Sequence, residues 1–258
     1  MKTFIKIAIV LSIGFYSCKK DKKTETPEPE PTVVTGSLKL NFENLVDTLP
    51  LDFVTNYVNA NGDTFKISKF NYYISNIVIT KTDNSTFTEP NSYHLVQASD
   101  AQSSLITLSK VPLGSYKSIS FMLGVDSTRN CSGVQDGDLA VSKNMFWSWS
   151  TGYIMVKLEG SSPQSGATTK ALTLHLGGYY GVNKAQRNFN FSFGTSTANV
   201  SESIAPMVHL AVDASKMFKG QNTISFATNY FQMSPGAAVK KFADNYAEMI
   251  EFEHVHND

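Results

Sequence analysis

Residues 115–125 read SYKSISFMLGV. Ile119, Phe121, Leu123 and Val125 take every second position, with Ser118, Ser120 and Met122 between them. Successive side chains of a β-strand point to opposite faces, so this period of two sets an apolar row against a polar one. The pattern recurs with Leu38, Leu40 and Phe42 in GSLKLNF, and with Phe70, Tyr72 and Ile74 in KFNYYISNIVIT. ALTLHL, NFNFSF and MVHLAVD follow the same rule. In KFNYYISNIVIT the apolar phase then shifts to Ile77 and Ile79, which predicts a bulge. Asn61-Gly62, between DFVTNYV and FKISKF, predicts a hairpin turn. Short alternating segments with turn-rich links predict a mainly β fold, an antiparallel β-sandwich with Greek-key-like connections. One segment differs. SPGAAVKKFADNYAEMIEF places Val239, Phe242, Tyr246, Met249 and Ile250 at helical spacing after the start signal Ser234-Pro235, which predicts a C-terminal amphipathic helix.

The chain has 258 residues, 41% of them hydrophobic and 17% charged, which fits a folded core. Formal net charge is zero, and removing Lys2 and Lys6 with a leader leaves about −2, so no basic surface for nucleic acid is expected. The leader is MKTFIKIAIVLSIGFYSC: a basic start, then an apolar run from Ile7 to Phe15 that is too short to span a bilayer as a helix. Residues 1–18 therefore read as a lipoprotein-type signal peptide, with Cys18 the acylated residue. Phe15-Tyr16-Ser17 departs from the usual small-residue box before such a cysteine. Residues 19–35, KKDKKTETPEPEPTVVT, are charged and Pro-rich and read as an unfolded tether. Lys19-Lys20-Asp21 resembles a surface-export signal. The expected location is the cell envelope, lipid-anchored, periplasmic or on the outer-membrane surface. Residues 36–258 form the folded domain. Beyond Cys18 only Cys131 remains, so the domain has no internal disulfide to rely on.

G-x-S-x-G, H-E-x-x-H, P-loop and G-x-G-x-x-G motifs are all absent, so an enzyme is not expected. The five histidines carry more information. His175 leaves the Leu172-Leu174-Leu176 row, and His209 leaves the Val208-Leu210-Val212 row. His254 and His256 share a face if the tail is extended. His94 faces away from Tyr93 and Leu95. Imidazoles suit copper or zinc, which makes His175, His209, His254 and His256 candidate metal ligands. Both tryptophans sit in NMFWSWSTGY, as Trp147 and Trp149, and a strand there puts them on one face. In GVDSTRNCSGVQDGDLA, Asp126, Asn130, Asp136 and Asp138 offer oxygen ligands for calcium, though an ordinary loop with Asx turns explains them as well.

Taken in order, FNYYISNIVI, LGSYKSISFMLGVDSTRN, MFWSWSTGYIMVKLEG, LHLGG and the HVHN tail resemble the MbnP family, named for the methanobactin-associated periplasmic copper-binding protein. The resemblance runs from about Gly36 to the C-terminus. It implies a β-sandwich that binds copper, and a partner of the MauG/MbnH type, a diheme peroxidase-like enzyme that oxidises a tryptophan to kynurenine. The kynurenine amine and histidine nitrogens then ligate the metal. The matching positions are Trp147 and Trp149, His175, His254 and His256. His209 joins them through its facing alone. An unmodified indole cannot ligate, because its N–H is a donor without a free lone pair.

Two other readings stand beside this one. The first is a cell-surface sandwich that binds carbohydrate or protein, with the indoles as an exposed stacking platform. In the second the indoles are core and the tail histidines cap the C-terminal end of the helix.

Overall fold

The computed structural model describes residues 34–133, 135–147 and 152–258. The expected signal peptide with Cys18, the expected tether as far as Val33, and Trp149 lie outside them. In chain order the strands are β1 (Thr35–Val46), β2 (Leu49–Pro50), β3 (Tyr57–Val58), β4 (Thr64–Lys81), β5 (Thr86–Thr88), β6 (Tyr93–Gln97), β7 (Leu105–Pro112) and β8 (Gly114–Leu123). After the short helix α1 (Ser127–Asn130) come β9 (Phe146–Trp147), β10 (Gly152–Ser161), β11 (Ala171–Gly177), β12 (Arg187–Ser192), β13 (Ala198–Val200), β14 (Met207–Asp213) and β15 (Phe231–Gln232). Helix α2 (Ala237–Tyr246) and β16 (Ile250–His256) end the chain.

The strands form two sheets. One runs β16-β14-β1-β2, with β7 also on β1. The other runs β12-β8-β4-β10-β11-β15, with β13 on β8, β9 on β10, and β3, β5 and β6 on β4. Their inner rows interlock. Phe42 of β1 meets Tyr72 of β4 and Phe121 of β8 edge to face, with centroids 6.4 and 5.7 Å away. The alternation in the sequence is thus the inner face of each sheet, as expected for a mainly β sandwich.

Most strand pairs are antiparallel, as expected, and each sheet also holds one parallel pair. β1 and β14 run parallel over Lys39–Leu45 and Met207–Asp213, and β15 lies parallel to β11. Alternation records which face a residue occupies, not the direction of the neighbouring strand. Strands as far apart in sequence as β1 and β14 carry no hairpin to force them antiparallel.

Local signals act where they stand. β3 and β4 form the expected hairpin: Gly62 N–H donates to Asn59 O at 2.9 Å, and Gly62 takes a φ of +82°, which favours glycine. The phase shift between Ile74 and Ile77 is a bulge. Asn76 there has a φ of +55°, and the β4–β8 register slips between Ser75 and Val78. The helix is real but shorter than its apolar spacing predicts. It buries Val239, Phe242 and Tyr246 and stops at Tyr246. Met249 and Ile250 are buried by the sheet instead: Asp213 N–H donates to Met249 O at 2.9 Å, and Ile250 pairs with Val212. Tertiary strand pairing overrides the helical period.

The central strand pair β4–β10 has a second bulge, where Gly160 faces Ile67 and Glu159 faces Lys69, leaving Ser68 unpaired in register. A Cβ at 160 would sit 2.0 Å from Lys66 O. Gly160→Ala is therefore expected to cost about 1–3 kcal/mol through forced backbone movement. Urea denaturation measures this as a lower midpoint with an unchanged slope.

Candidate metal centres

Imidazoles gather on the outer face of the smaller sheet. In β14, Val208, Leu210 and Val212 are buried, which turns His209 outward. β16 pairs with it so that His254 faces His209, Val255 faces Val208 and His256 faces Met207. Between His209 and Leu210 the register slips, because Phe252 rather than Glu253 faces Leu210. This one-residue bulge changes the phase of the tail. Ile250 and Phe252 point inward before it and Val255 after it, so His254 and His256 both point out beside His209.

One nitrogen from each of His209, His254 and His256 lies within 4.8 Å of the others. Nε2 of His254 and Nε2 of His256 are 2.9 Å apart. The His209 and His254 rings stack at 4.4 Å with 12° between their planes. His209 Nδ1 is 2.7 Å from the Glu43 carboxylate, which also accepts from Asn41 Nδ2 at 3.0 Å. A carboxylate of Asp258 lies 3.5 Å from His256 Nδ1. With Nδ1–H directed to the carboxylate, the Nε2 lone pair of His209 is left for a metal, the usual outer arrangement of a metal-bound histidine.

The larger sheet holds a different group. Trp147 is only 1% exposed, and its partner across β9–β10 is Gly152. Its ring rests on Gly177: a Cβ there would sit 2.6 Å from Trp147 Cζ3 and 2.8 Å from Tyr153 O. The W-x-W and HLGG motifs therefore touch, and the first glycine of HLGG is needed for that contact. His175, two residues earlier on β11, pairs with Lys157. Its face is covered, not solvent-facing, and the residue is 7% exposed. Nε2 is 2.8 Å from Glu159, and Nδ1 is buried with no partner among the described residues. Glu159 also meets Lys69 at 3.1 Å and Lys157 at 3.6 Å, and Lys157 Nζ donates to Asn144 O at 2.9 Å. Burial pushes the His175 pKa below the ordinary histidine value, and Glu159 opposes this. Burial also lowers the Lys157 pKa. For Glu159, burial works upward, but the bonds from His175 and Lys69 hold its carboxyl below the usual range.

The ligand set read from the sequence thus divides. His209, His254 and His256 converge, whereas His175 lies in the other sheet beside the Trp147 contact. His94 bonds Glu89 at 2.8 Å. The tail histidines sit on β16 and not at the helix end, so they do not cap α2. The calcium loop disperses. Asp126 caps α1 by accepting from Arg129 N–H at 3.0 Å, and it also binds Tyr93. Asn130 Oδ1 accepts from Tyr153 N–H at 2.8 Å, and Asp138 accepts from Leu95 N–H at 2.9 Å. Asp136 stands before a 3₁₀ turn and makes no capping bond. Among the described residues these aspartates form no group able to hold an ion. Glu43, Asn41, Glu159 and Lys157 escaped the sequence reading. Strand alternation places Asn41 and Glu43 outward, but the parallel register that sets Asn41 opposite His209 is not visible in one sequence.

The chain belongs to the MbnP family, whose model matches residues 35–237. Among solved structures, MbnP from Methylosinus trichosporium is similar in fold, with a TM-score of 0.54 at 12% identity over 74% of this chain and 80% of that one. No curated protein matches. Trp147, Gly177 and His175 fall inside the matched residues, and His254 and His256 fall beyond them.

Trp147→Ala is expected to cost about 3–5 kcal/mol, the usual loss for a fully buried large aromatic. Guanidinium denaturation of the unmodified protein, compared with the wild type, measures it.

Proposed function

We propose that this protein is an exported, non-enzymatic copper-binding protein, held at the cell envelope through a lipid on Cys18, in which the W-x-W motif is modified to complete a copper site with His175. Family membership supports the copper-associated role. The observation that carries the reading is the meeting of the two motifs. Trp147 rests on Gly177, two residues from a buried imidazole whose Nδ1 has no partner among the described residues.

The donors fit the metal. Glu159 faces Nε2 of His175, so Nε2–H donates to the carboxylate and the lone pair falls on Nδ1. A buried nitrogen lacking a partner costs free energy unless something binds it, and a copper ion would use it. Lone-pair chemistry explains why the tryptophan must change. The indole N–H has none to offer. A diheme partner of the MauG/MbnH type, using two peroxides as oxidant, would cleave the indole C2–C3 bond, placing one oxygen atom on each carbon and releasing two waters. Hydrolytic loss of formate then frees an aniline nitrogen. Trp147 is the preferred target because it touches HLGG, and Trp149 lies outside the described residues. The role of the protein is to present these side chains in a dry, rigid setting: β9 and β10 fix the indole, and β11 fixes the imidazole. The carbohydrate-platform reading has less support, since Trp147 is buried and unable to stack on a ligand.

Peptide mass spectrometry across residues 144–158, on protein from its own host, is the test, with copper quantified on the same sample. The expected result is kynurenine at Trp147 with stoichiometric copper, and one equivalent of copper fewer in His175→Ala. Two unmodified tryptophans and no copper, in a host expressing the diheme partner, would sink the proposal.

A further inference from the structure

The geometry points to a second metal site on the outer face of the smaller sheet, made by His209, His254 and His256, which takes copper(II) in preference to zinc and needs no modified tryptophan.

Three observations carry it. The first is distance. Nitrogens bonded to one ion at about 2.0–2.1 Å lie about 2.9 Å apart at right angles, about 3.3 Å apart at the tetrahedral angle, and never beyond about 4.1 Å. His254 and His256 already hold their Nε2 atoms 2.9 Å apart. All three ligand atoms lie within 4.8 Å, so closure on one ion needs a shift of under about 1 Å, within reach of a small χ rotation.

The second is the outer shell. Glu43, steadied by Asn41, backs His209 at 2.7 Å, and Asp258 stands 3.5 Å behind His256. Each carboxylate lies on the Nδ1 side of its ring, which leaves Nε2 to face inward. A carboxylate bonded to Nδ1 of a ligating imidazole orients the ring and makes the opposite nitrogen a better donor to a metal.

The third is placement. The bulge at Glu253 spends a ladder position to turn both tail histidines to the same face as His209. That tail lies beyond the part of the chain the family model matches, and its sheet is not the one that carries Trp147 and His175. This centre is therefore separate from the W-x-W site, and its chemistry does not depend on that reading. Three imidazoles suit copper and zinc, and copper(II) stands above zinc in the order of divalent affinities. His256 has 53% of its side chain exposed, so the ion enters from solvent with no opening of the fold, and positions beyond the three nitrogens stay available to water or an incoming ligand.

The experiment uses the full-length protein in detergent, made in a host without a diheme partner so that both tryptophans are unmodified. Copper(II) and zinc(II) salts are titrated separately, and bound copper is examined by electron paramagnetic resonance for nitrogen hyperfine structure. One equivalent of copper(II) on nitrogen ligands is expected. Binding should weaken about 10- to 100-fold in Glu43→Gln, which keeps all three imidazoles. It should be lost in the double variant His254→Ala/His256→Ala and stay unchanged in His94→Ala. Circular dichroism checks the fold of each, and Glu43→Gln serves if the double variant does not fold. Absence of copper(II) binding by the unmodified protein, or wild-type affinity in the double variant, overturns the second site. Neither result bears on copper held with a modified tryptophan, which this preparation lacks.

Discussion

The parallel pairing of β1 with β14 is the constraint on which the rest of the smaller sheet depends. It joins residues more than a hundred and sixty positions apart, such as Asn41 and His209. On its inner side it aligns Leu40 and Phe42 with Val208 and Leu210, all buried, and Phe42 reaches Tyr72 and Phe121 across the sandwich. On its outer side it brings Glu43 to His209. One register therefore serves the core and the histidine face together, and a one-residue slip would ruin both.

Single-residue bulges do the aiming. Asn76 changes the phase of β4, Ser68 opposite Gly160 bends the β4–β10 pair, and Glu253 resets the tail. Each gives up a regular ladder position and in return turns a run of side chains to the other face. At Glu253 the gain is plain. Phe252 and Val255 both reach inward, Phe252 stacks on Phe193 at 5.1 Å, and the two histidines between and beyond them face out.

A common chemical unit appears on both sheets: a histidine with one ring nitrogen against a carboxylate and the other left to act. Glu159 does this for a buried His175, and Glu43 for a half-buried His209. The surroundings separate their roles. His175 is buried, and burial pushes its pKa down. His209 sits on an open face beside two exposed imidazoles. The first setting suits an ion held away from water, the second an ion that exchanges with it.

By itself the sequence determined what local physics controls. Alternation identified the strands, the phase shift after Ile74 identified a bulge, Asn61-Gly62 identified a hairpin, and the apolar spacing of Val239, Phe242 and Tyr246 identified the helix. The order of motifs from FNYYISNIVI to the HVHN tail pointed to the family, whose model matches residues 35–237. The same alternation told which histidines leave the apolar rows. Only the tertiary structure decided the rest. It made β1 and β14 parallel, ended the helix at Tyr246 in favour of sheet pairing, and divided four candidate histidines into one apart and three together. Those outcomes rest on contacts between segments distant in the chain, and a side chain's own sequence neighbours say which face it takes but not what it meets there.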